Sequence, residues 1–178
     1  MKPAIPHNKL IAAIILSGVL ASVGLIGGLG IQLVRREILS FLPLLIALPA
    51  MNAMAGDYAT LTASHLGDPE NYKKRTQKLV IALLVSFPVS ALGVSGLSLG
   101  VAHLKGFVIT TELALEYTRL IFTTLGVVIV AMFAIIYLAK LLLEHQRINI
   151  DDTLIPIANT IASVLLLTGF AIMSARLV

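Results

Sequence analysis

Five stretches of this chain, at about 9–34, 38–66, 79–104, 113–143 and 153–177, are apolar and long enough to cross a bilayer, a crossing that takes roughly 20 helical residues. Within hydrocarbon every backbone N–H and C=O has to be satisfied inside the protein, and separate apolar runs meet that demand as α-helices. The expected fold is therefore all-α: an integral membrane bundle of five transmembrane helices, forming one domain over residues 1–178. Composition agrees, with 58% hydrophobic and 12% charged residues against roughly 25% charge in soluble domains. The absence of cysteine excludes disulfides, thiolate metal sites and c-type haem attachment. A net charge of +4 scattered between apolar runs reads as loop anchoring at lipid headgroups and gives no sign of nucleic acid. The first run is longer than a signal-peptide core and lacks a clear A-x-A site after it, so it is read as a retained span.

Each span carries its own marks. Gly18, Gly24, Gly27, Gly28 and Gly30 in the first permit close helix approach, and Gly27-Gly28 could equally mark a bend. The second holds Pro43, Pro49 and Gly56, which predict a kinked or partly broken helix. Gly67–Lys78 reads as a polar loop. The third has Pro88 at its middle, with Ser86, Ser90 and Gly93 on one face. Near the start of the fourth, Glu112 and Glu116 precede Arg119, and local pairing is expected. After a loop at Glu144–Asp152, the fifth places Pro156, Asn159, Thr160 and Ser163 on one face.

The second span is the unusual one. It puts Asn52, Asp57, Thr60, Thr62, Ser64 and His65 inside an otherwise apolar run. A carboxylate at that depth costs at least a few kcal/mol unless a cation or a wet cavity receives it, and the run supplies no cationic partner beyond His65. On a helix Ala53, Asp57, Thr60 and Ser64 share a face, and the fifth span offers Asn159, Thr160 and Ser163. Carboxylate, amide, hydroxyl and freed carbonyl oxygens are hard ligands, suited to Mg²⁺ or Ca²⁺. Candidate metal-binding residues are therefore Asp57, Asn52, Thr60, Asn159, Thr160 and Ser163. Two plainer readings stand beside this: an Asp satisfied by a helix break or a neighbouring Arg, and small hydroxyl residues acting as helix glue.

Two motifs resemble the membrane domain of the MgtE-type magnesium transporters, including one half of their eukaryotic solute-carrier relatives. Pro49–Leu66 fits P-x6-G-[ND]-x6-S-[RH]-L at Pro49, Gly56, Ser64 and Leu66 without a gap. In Asn149–Ser163, Asp151, Pro156 and Thr160 fall in place, and Asp152 stands where the loop's Asn would be. The resemblance covers the whole chain and implies a divalent cation pore between two such domains, hence a homodimer or a heterodimer with a related chain. There are two departures: Ser163 occupies the position of the family's ion-binding Asp, and Asp57 the position usually held by Asn. The two together suggest that the single intramembrane carboxylate has moved from the fifth helix to the second. Bacterial members carry cytoplasmic sensor domains ahead of the membrane part, and about eight residues precede the first span here, so sensing of that kind is expected to be absent or on another chain.

The resemblance thus implies a divalent cation transporter or channel in the plasma membrane, with Mg²⁺ as transported ion, no enzyme activity and no cofactor. A proton-coupled exchanger built on Asp57 belongs to the same class. The alternative from another class is a non-conducting assembly or regulatory subunit of a hetero-oligomer. A lipid-modifying enzyme lacks support, since there are no clustered carboxylates and no Ser/His/Asp set on neighbouring faces.

Basic residues set the expected orientation. Lys2, Lys9, Lys73, Lys74, Arg75, Lys78, Lys140 and Arg147 fall on one side, against Arg35, Arg36, Lys105, Arg119 and Arg176 on the other. The positive-inside rule places the first set and the N-terminus in the cytoplasm and the C-terminus outside. Cysteines introduced at Asn71 and at Gly106 should therefore label from opposite sides, the first from the cytoplasm alone. Equal external access to both would overturn the five-span topology.

Overall fold

The computed structural model describes residues 7–33, 35–67, 72–143 and 150–174. Among them the chain is helical except at Phe41 and across 105–110. The helices are α1 (His7–Leu33), α2 (Arg35–Ser40), α3 (Leu42–Gly67), α4 (Tyr72–Leu104), α5 (Thr111–Leu143) and α6 (Ile150–Ser174). The five long ones fall on the five apolar runs. Among the described residues, three contain segments long and apolar enough to span a membrane: Thr76–Leu104, Thr111–Ala139 and Leu154–Ser174. The polar insert from Asn52 to His65 lowers the hydropathy of α3, and α1 contributes the shorter apolar stretch Ser17–Leu29.

Three sequence expectations need correction. The second span is not broken at its prolines or at Gly56: α3 runs unbroken through Pro49, and the interruption lies earlier, at Phe41. Pro43 sits in the first turn of α3, where an N–H has no helical acceptor to lose. The polar loops are also shorter than expected. Tyr72–Lys78 already belongs to α4, and Ile150–Asp152 to α6. YKKRTQK contains no Gly or Pro, and Lys, Arg and Gln are good helix formers, so the helix continues past the apolar limit. Residues 68–71 and 144–149 lie outside the described residues, as do 175–177 of the fifth expected span. Finally, Glu112, Glu116 and Arg119 are exposed and make no ion pair among the described residues. Solvated charges at an exposed helix end gain little by pairing.

Short connections make α3, α4, α5 and α6 run alternately up and down, with α1 parallel to α6. The core rests on rows spaced by four residues, which lie one above another on a helix. Ala47, Met51, Ala55, Ala59 and Ala63 of α3 are at most 1% exposed. They share a core with Leu154, Ala158, Ala162, Leu166 and Phe170 of α6. Lipid tails are as apolar as leucine, so membrane helices associate through close packing rather than hydrophobic transfer, and small residues bring backbones near. The alanine row is the sequence form of that requirement. α1 packs mainly on α6, closest at Gly27, whose added Cβ would lie 3.1 Å from the Val164 Cα.

One end of the bundle is tied by Tyr117. Its side chain is 0% exposed, its hydroxyl donates to the Pro43 carbonyl at 2.9 Å and is hydrogen-bonded to Ser98 Oγ at 2.7 Å. Three helices thus meet at one phenol. Phe41 and Phe107 extend the cluster, with ring centroids 5.3 Å apart, edge to face, and Phe41 lies 5.7 Å from Tyr117. Phe107 is delivered by a Schellman close of α4. Phe107 N–H bonds Ala102 O at 3.0 Å and Gly106 N–H bonds His103 O at 2.9 Å, with Gly106 at φ 87°, a left-handed angle that glycine accepts without cost. Thr110 then caps α5, its Oγ1 accepting from Leu113 N–H at 3.2 Å.

Tyr117→Phe should lower stability by about 1–2 kcal/mol, since it removes both hydrogen bonds of the phenol. Tyr117→Ala should cost at least about 3 kcal/mol by leaving a cavity. Reversible unfolding in mixed micelles measures both, and a neutral Tyr117→Ala would refute the tie.

Candidate functional site

The six residues singled out from the sequence lie on α3 and α6, and the structure brings those two helices into direct contact. Gly56 faces α6 so closely that a methyl built on it would collide with Asn159 Oδ1, while Cγ of the same amide would be 3.4 Å away. The Asn159 side chain is thus seated on bare backbone. Asn159 also lines a groove of about 400 Å³ between α1 and α6, together with Ser17, Gly24, Pro156, Thr160 and Ser163. Three of the six candidates, Asn159, Thr160 and Ser163, therefore share one polar groove. Thr160 donates its hydroxyl to Pro156 O at 3.1 Å, which leaves its oxygen lone pairs facing outward.

The other three sit on α3 and do not all point the same way. Asn52 is one turn from Gly56 on the face toward α6, and its Oδ1 is buried with no hydrogen-bond partner. Since α3 and α6 run antiparallel and meet at Gly56 and Asn159, Asn52 comes level with Ser163. Thr60 is one turn beyond Gly56 in the other direction and is half-buried. Asp57 is exposed. It lies one residue, about 100°, round from the α6 contact. Tyr58 lies a further step round and reaches α4, where its hydroxyl donates to Ser90 Oγ at 3.0 Å. Asp57 therefore points outward between α6 and α4, next to the exposed Ala53 and Ser64. No hydrogen bond or ion pair from a described residue reaches it. The neighbouring-Arg explanation of this carboxylate finds no support among the described residues.

Sequence reasoning missed Ser17 and Gly24 as groove-lining residues of α1. They are spaced by seven, with Ala21 between them, a small-residue row that reads equally as packing. It also missed the Tyr58–Ser90 bond, which turns Tyr58 toward α4 and is consistent with the outward direction of Asp57. Nothing marks that pairing in the sequence. Among the described residues, no three His, Cys, Asp or Glu side chains come together as a metal cluster. Asp57, the one carboxylate of the six, is not among the residues that line the α1–α6 groove.

No protein-family model matches the chain, and no curated protein or solved structure shows significant similarity to it.

The two closest glycine contacts differ in what they oppose. At Gly56 the obstacle is the mobile end of a side chain, and at Gly27 it is backbone. Gly56→Ala should change stability by less than about 1 kcal/mol, because the amide swings away and the helix gains from losing a glycine. Gly27→Ala should cost about 1–2 kcal/mol by pushing α1 off α6. Thermal unfolding of the two variants in detergent should rank them in that order, and the reverse order would contradict the packing described.

Proposed function

We propose that the protein is half of a divalent-cation pathway, completed by a second copy in the membrane, with Mg²⁺ as the transported ion. The observation that carries this reading is Asp57: an unpaired carboxylate on the outward face of a helix in a membrane bundle. Facing lipid, it would cost several kcal/mol. A two-fold partner covering α3 and the α1–α6 groove would remove that cost by enclosing two such carboxylates in one wet cavity. Mg²⁺ keeps most of its waters and is usually bound through one or two carboxylates, which is what two Asp57 side chains would offer. Asn159, Thr160 and Ser163 supply neutral oxygens to bound ions or to their waters. The MgtE-type resemblance of Pro49–Leu66 and Asn149–Ser163 supports the same reading. It also implies five spans, a cytoplasmic N-terminus, an external C-terminus and residence in the plasma membrane.

A second reading rests on Ser163. If the pathway needs a carboxylate on α6, this chain lacks it and serves as a non-conducting partner of a related chain that has one. Uptake into liposomes carrying the purified protein alone, with Mg²⁺ tested against Mn²⁺, Co²⁺, Ca²⁺ and Na⁺, separates the two readings. Flux from a dimer supports the first, and absence of both flux and dimer supports the second.

Asp57→Asn should reduce divalent uptake at least about ten-fold, with expression and dimer unchanged, because the remaining amide no longer offsets dehydration of the ion. Adding Ser163→Asp should restore part of it. The restored charge sits on α6 about five residues along the axis from the level of Asp57, about 7 Å, so recovery should be incomplete. Wild-type uptake by Asp57→Asn would end the ion-site reading.

A further inference from the structure

We draw no further inference here: the strongest candidate, the exposed face of α4 that carries Gly93, Gly96 and Gly100 with open space above each, is a stripe of small residues, and nothing in the structure shows what covers it.

Discussion

The seat of the Asn159 amide on the bare backbone of Gly56 is the contact from which the polar side of the molecule follows. With any larger residue at Gly56, the amide would be pushed off α3 into the groove it lines. With Gly56 in place, α3 and α6 approach closely enough that one amide belongs both to the helix contact and to the groove wall. The alanine rows above and below make the same approach possible along the whole length of the pair. In lipid this closeness is the principal source of association, since no apolar surface is withdrawn from water. The same small residues that hold the helices together thus set the polar groups side by side.

Much of the architecture could be read from the chain. The five apolar runs became five long helices because a bilayer leaves the backbone little other choice. The pairing of the second and fifth spans was also legible, from the polar stripes that each carries. Helix limits were not, since hydropathy marks where apolar residues stop and not where hydrogen bonding stops; Tyr72–Lys78 is helical and polar at once. The prolines misled for a related reason. Pro43 falls in a first turn that tolerates it, and a continuous helix accommodates Pro49. For the candidate site, residue types and spacing picked out Asn159, Thr160 and Ser163 on the α6 wall of the groove, but not its α1 wall, and the direction of Asp57 depends on how α3 is rotated. That rotation shows in the buried alanine row and in the bonds of Tyr58 to Ser90 and of Tyr117 to Pro43, the latter between residues far apart in the chain.

The bundle is asymmetric in how it is held. At one end Tyr117, Ser98, Phe41 and Phe107 join α3, α4 and α5 through hydrogen bonds and ring contacts. The outward face of α3 around Asp57 has no such cover. Among the described residues the frame is thus tied at one end and leaves the face of α3 that carries Asp57 open.

The attachment of α1 to α6 also has a consequence during synthesis. Gly27 and its contact Val164 are 137 residues apart in the chain. At translation rates of about 5–20 residues per second, α1 waits roughly 7–27 s for α6. Throughout that interval its glycine-bearing face is available to any other nascent helix in the bilayer. The α1–α6 contact therefore forms only after α3, α4 and α5 have been made.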